Sequence, residues 1–128
     1  MAEGDFIDSW PITTPAANNW AGGITTDGTN IWFTSTYYDS AYKYDMSGGY
    51  ITSWSLHGEN TIPEGITTDG TNIWVSDTGF GDVVYKYDMS GGYIGSWLLT
   101  AANTFPHGMA TDGTNIWVVD RDGARVYK

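Results

Sequence analysis

The hexapeptide DGTNIW occupies residues 27–32, recurs letter for letter at 69–74 and recurs again at 112–117. A spacing of about 42 residues is too long for a coiled coil and falls where one supersecondary unit is copied and stacked. A second string, YKYDMSGGYI, stands at 42–51 and returns at 85–94. Together the two strings delimit a unit of four short, strand-like segments separated by turn residues.

In the first unit the segments are GITTD (23–27), NIWFTS (30–35), AYKYDM (41–46) and YITSWSL (50–56). The turns between them, DGTN and SGG, are built from strong turn formers. The second unit repeats the order over 65–99, and the third runs GMATD, NIWVVD, ARVYK over 108–128. FIDSWPI (6–12) shares the aromatic-Ile-x-Ser-Trp pattern of the fourth segment. Lettering the segments a to d, the chain reads d, abcd, abcd, abc. Apolar residues fill both alternating sets in segments b and c, as in Ile73, Trp74, Val75 and Val84, Tyr85, Tyr87. That pattern belongs to sheets buried on both faces. The predicted fold is all-β: a β-propeller of four-stranded antiparallel blades, 23–56 and 65–99 being whole and 6–12 with 108–128 forming a split one.

Propellers have four to eight blades, so three do not close a ring. An unpaired strand edge is a template for association. The expected partner is therefore a second copy, each chain lending its strand d to the other's last blade in a six-bladed homodimer. Closure falls to Phe6, Ile7, Trp10 and Ile12 on one side and Val126 and Tyr127 on the other.

The formal charge of −10, with five basic residues, opposes binding to nucleic acid or to an anionic membrane surface. Cysteine is absent, which removes disulfides and thiolate chemistry. No run approaches a membrane span, and the first residues lack the basic-then-apolar order of a signal peptide, so a soluble chain is expected. The DGTN turn lacks the alternating carboxylates of a calcium loop. No phosphate-cradling loop or activated Ser arrangement is present, and no cofactor is predicted.

The string Pro-x-Gly-Ile-x-x-Asp-Gly-x-Asn-Ile-Trp-Val-x-Asp, followed by Lys-Tyr-Asp and Ser-Gly-Gly-Tyr-Ile, resembles the NHL-type repeat and equally the repeat of the virginiamycin B lyase family. The resemblance covers nearly the whole chain and implies propeller blades. It is poor for activity, because such folds include binding modules, lactonases, lyases and scaffolds. In those lyases acid/base histidines and a glutamate act from particular blades, and here a single Pro-His-Gly stands at 106–108. The metal-binding lactonases place a Glu beside a strand-a glycine, and only Pro63, Glu64 and Gly65 match that pattern.

Candidate site residues come from the connections that vary between units, since binding groups concentrate on scaffolded loops. Three sets align: Trp20, Ile62, Phe105; Gly22, Glu64, His107; and Ser35, Asp77, Asp120. Glu64 and His107 are weak metal candidates or an acid/base pair, against their reading as solvated loop residues after a proline. Trp20, Phe105, Tyr37, Tyr38 and Phe80 are placed to stack on flat ligands such as sugars, with Asp77 and Asp120 accepting from hydroxyls. The competing reading is packing between blade tops. The strand tryptophans are read as packing between blades.

The leading functional expectation is a non-catalytic scaffold that assembles with itself. Near-identity of its units is expected equally of recent amplification and of design. The alternatives are a ligand- or carbohydrate-binding module on the variable face and a lyase- or lactonase-like enzyme at the channel mouth.

Overall fold

A computed structural model describes residues 4, 6–12, 20–79 and 81–128. Among these there is no helix, and so none long and apolar enough to cross a membrane. The first sheet is antiparallel, in the order β1 (Ala21–Thr26), β2 (Asn30–Ser35), β3 (Ser40–Asp45), β4 (Tyr50–Ser55). The second repeats it with β5 (Pro63–Thr68), β6 (Asn72–Asp77), β7 (Val83–Asp88) and β8 (Tyr93–Leu98). The third has three strands, β9 (Pro106–Thr111), β10 (Ile116–Asp120) and β11 (Arg125–Tyr127). Strands a begin two residues earlier than the sequence pattern indicates, because Ala21 pairs with Ser35 and Pro63 with Asp77 beyond a bulge.

Each repeated turn closes the same way. The Oδ1 atoms of Asp27, Asp69 and Asp112 accept from the backbone N–H groups two and three residues on. Asp45 accepts from the Ser47 hydroxyl and from the N–H groups of Ser47 and Gly49, and Asp88 copies it with Ser90 and Gly92. Invariant turn letters thus reflect turn geometry.

Alternation puts apolar side chains on both faces of each sheet. Trp32 and Ala41 of the first sheet and Ile66, Ile73, Val75, Tyr85 and Tyr87 of the second make one core. Trp74 and Val84, on the far face of the second sheet, meet Val118 of the third. Lys43 lies over the Trp32 ring at 5.2 Å, and Lys86 over Trp74 at 5.7 Å. The indoles are therefore inter-sheet packing, as the sequence reading holds for them.

Strands β1, β5 and β9 run side by side, one from each sheet, and their backbones come very close. A Cβ on Gly23 would lie 2.8 Å from the carbonyl oxygen of Glu64, and one on Gly65 would collide with the carbonyl of His107. Hydroxyls from the b strands lock the crossing: Thr34 Oγ1 donates to Glu64 O at 3.2 Å and Ser76 Oγ to His107 O at 3.1 Å.

Residues 6–12 form no strand in the single chain. A strand needs a ladder partner, and β3, which pairs with β4, has none to spare. The segment nevertheless lies against the first sheet. Ile12 packs on Phe33, Tyr42 and Tyr44, and Trp10 covers Gly48. Trp54 covers Gly91 of the next sheet in the same manner.

Gly65→Ala is expected to lower stability by roughly 1–3 kcal/mol, the cost of overpacking a tight contact. Gly58→Ala, with open space around its Cβ, should change it far less; denaturant midpoints compare the two. Hydrogen bonds hold the carboxyls of Asp45, Asp88, Asp27 and Asp112 below the ordinary range, led by Ser47, Gly92, Asn30 and Asn115 respectively. Burial, reinforced by Asp77 and Asp120, pushes Asp39 and Asp82 the other way. A carboxyl depressed in the fold adds stability that is whole above the unfolded value near 4 and is lost as pH falls through the folded value. The midpoint should thus hold between pH 6 and 5 and drop below about pH 4.

Candidate functional site

The end of the molecule opposite the Asp-Gly turns carries the variable loops. Its alignment across units holds in three dimensions: the carbonyls of Trp20, Ile62 and Phe105 accept from the N–H groups of Thr36, Thr78 and Arg121. Here Glu64 on β5 and His107 on β9 stand side by side, His107 Nε2 lying 3.5 Å from Glu64 Oε2. The close approach of β5 and β9 sets this distance, since Glu64 precedes Gly65, whose backbone meets the carbonyl of His107 itself. The imidazole is half exposed and the carboxylate more sheltered. A carboxylate so placed can orient an imidazole, as acid/base work requires. Gly22 takes the aligned place on β1 and contributes no side chain.

No group of three or more metal-binding side chains occurs among the described residues. Glu64 and His107 supply two ligands, short of the usual three or four.

The other predicted residues divide. Trp20 is exposed, and its φ of 63° holds the indole on a left-handed backbone. Tyr37 and Tyr38 are exposed and pack edge to face at 4.8 Å. Phe105 lies beneath the Arg121 guanidinium, 3.8 Å from ring centroid to Cζ, which leaves it part of a loop contact. Phe80 lies outside the described residues.

Asp77 and Asp120 are corrected. The sequence reading gives them to a ligand, yet both are buried. Asp77 accepts from the N–H groups of Ile62 and Gly79, and Asp120 from those of Thr104, Phe105 and Asp122. Burial works to raise the Asp120 carboxyl, but bonds from Gly123, Thr104, Phe105 and Asp122 prevail and lower it. These carboxylates pin the d-to-a connection to the end of strand b.

One repeated feature escapes a reading in which those connections only vary. Asn60-Thr61-Ile62-Pro63 and Asn103-Thr104-Phe105-Pro106 share Asn, Thr and Pro in register. Both asparagines are fully buried, and the N–H of each closes a turn on the carbonyl three residues before.

No family model matches the chain, and no curated protein matches it. Solved structures do. Selenomethionine-substituted virginiamycin B lyase from Staphylococcus aureus superposes with a TM-score of 0.71 at 21% identity, covering 98% of this chain and 42% of that one. A catalytically inactive form of the same lyase with quinupristin gives a TM-score of 0.69 at 20% identity over 88% of this chain and 38% of that one. A streptogramin B lyase gives 0.68 at 22% identity over 91% and 38%. The chain thus spans about two fifths of the structures it matches. Its sheets are arranged as in those β-propellers, as the repeat pattern predicts.

Proposed function

We propose that this chain is a self-assembling propeller scaffold, non-catalytic, whose two outer sheet faces close on a second copy in a six-bladed ring. The observation that carries this reading is a contrast between identical residues. Ile66, covered by the first sheet, is 2% exposed, whereas Ile24 at the same place in the first sheet is 68% exposed. At the other end Val84 is fully buried and its counterpart Val126 is 66% exposed. Trp117, Val119 and Val126 with Ala110 line an apolar hollow of about 290 Å³ on the third sheet.

The outer faces therefore carry the two halves of the interface that already joins the sheets within the chain: Trp117 and Val126 correspond to Trp32 and Ala41, and Ile24 and Ile31 to Ile66 and Ile73. A second copy presents the matching half twice over, and association buries both. The three strands of the third sheet leave an edge at β11, beside which a partner's residues 6–12 complete the fourth position. Phe6 and Ile7 are exposed, and Tyr127 is half-buried with its hydroxyl donating to Ala102 O.

The solution mass is expected at twice the 14.0 kDa of the chain. Val126→Asp should halve it by placing a charge in the closing interface, and deletion of residues 1–12 should do likewise. A folded 14.0 kDa species of the unaltered chain, or a stable dimer of the truncated one, overturns the ring.

A second reading, a lyase at the channel mouth, is favoured by the Glu64–His107 pair and by likeness to lyases of the streptogramin class. Under the scaffold reading quinupristin is left intact by the chain. Cleavage seen by mass spectrometry and lost in His107→Ala would establish the lyase reading instead.

A further inference from the structure

Where units are nearly identical, the positions at which one departs from the others stand out, and several departures meet in one hollow. On the second sheet, beside the connection that joins it to the first, lies a cleft of about 770 Å³ whose lining includes Glu59, Thr61, Val83, Tyr85, Ser96 and Leu98. The ladder of β7 with β8 pairs Val83 with Leu98 and Tyr85 with Ser96, so these four share one face. Val83 and Tyr85 belong to the core made with the first sheet, which makes it the face turned toward that sheet. Both sheets have all four strands, and every lining residue lies between positions 58 and 98.

In the first unit Ser40 and Ser55 take the places of Val83 and Leu98, and in the next connection Thr100 and Ala102 take those of His57 and Glu59. Leu98 is 72% exposed, an apolar side chain where the repeat has a hydroxyl. Tyr85 is buried, with the His57 ring stacked on it at 5.7 Å and tilted against Tyr93 at 4.2 Å. The Glu59 N–H donates to His57 Nδ1 at 3.4 Å, which ties the connection to these rings. The Glu59 residue is exposed, and among the described residues of the lining it alone carries a charge. Burial, reinforced by Asp77 and Glu59, pushes the Tyr85 phenol up to about 12, so the ring sits in a field that opposes further negative charge. Lys86 lies on the opposite face of the sheet, over Trp74.

We infer that this cleft binds an organic primary ammonium ion, its hydrocarbon chain against Val83, Tyr85 and Leu98 and its charge at the Glu59 carboxylate. Apolar walls with one anionic group fix both parts of such a ligand. One carboxylate is too few for a metal ion, and an anion would meet both Glu59 and the −10 charge of the chain. None of these residues belongs to the outer faces proposed to close the ring or to the Glu64–His107 pair, so the assignment rests on neither reading.

The test titrates n-hexylamine, a cation at neutral pH, and uncharged 1-hexanol into the full chain while backbone amide resonances are followed. Saturable shifts are expected at residues 57–61, Tyr85 and Leu98. The amine should bind about threefold or more tightly than the alcohol, the scale of one exposed ion pair. Glu59→Gln should bring the two affinities together. Leu98→Ser, which restores the residue of the first unit, should weaken both probes alike, by about threefold or more. Both positions are exposed, so the variants keep the fold. Absence of saturation, equal affinities for the unaltered chain, an amine preference that survives Glu59→Gln, or amine shifts spread over the Asp27, Asp69 and Asp112 turns overturns the assignment.

Discussion

The carbonyl of His107 lies so close to Gly65 that no side chain could stand between them, and Glu64 and Gly23 repeat the arrangement one strand over. Everything else about the molecule follows from that approach of backbones. Strands with a Cβ at these positions would be held apart, and the three sheets would splay. Because they are not, the hydroxyls of Thr34 and Ser76 reach the neighbouring strand, the large side chains of β2, β3, β6 and β7 interlock, and the second sheet is buried on both faces. The same crossing carries Glu64 and His107 to within 3.5 Å at its upper end.

A stack made this way has no natural last member. The face that buries Ile66 recurs on the first sheet as Ile24, and the face that buries Val84 recurs on the third as Val126. Apolar area of this kind is stabilising only when covered. Under the proposed self-assembly the cover is a second copy, since the outer faces carry the same residues as the inner ones. The contact of Trp10 with Gly48 copies that of Trp54 with Gly91.

The repeats also make departures legible. Asn60 Nδ2 donates to the Tyr87 hydroxyl, and the N–H groups of Asn60 and Asn103 close the same turn. Sequence comparison places both asparagines in register, but it weighs them as loop letters between variable neighbours. Their burial arises only when the sheets are stacked. Asp77 and Asp120 mislead for a related reason. A carboxylate at the end of a strand reads as exposed in one dimension, whereas the returning loop folds its own N–H groups onto it.

The amino-acid sequence by itself determined the strands, their order within each sheet, the turns and the two-faced burial. These depend on contacts between residues close in the chain and on an alternation that can be counted. It also determined which residues would be equivalent between units, down to the hydrogen bonds of Trp20, Ile62 and Phe105. Tertiary structure alone decided that Glu64 lies beside His107 and that Asp77 and Asp120 turn inward. Those outcomes are set by the distance between neighbouring strands and by what covers a face. Neither quantity is carried by any single repeat, because a repeat has the same letters whether or not another lies against it.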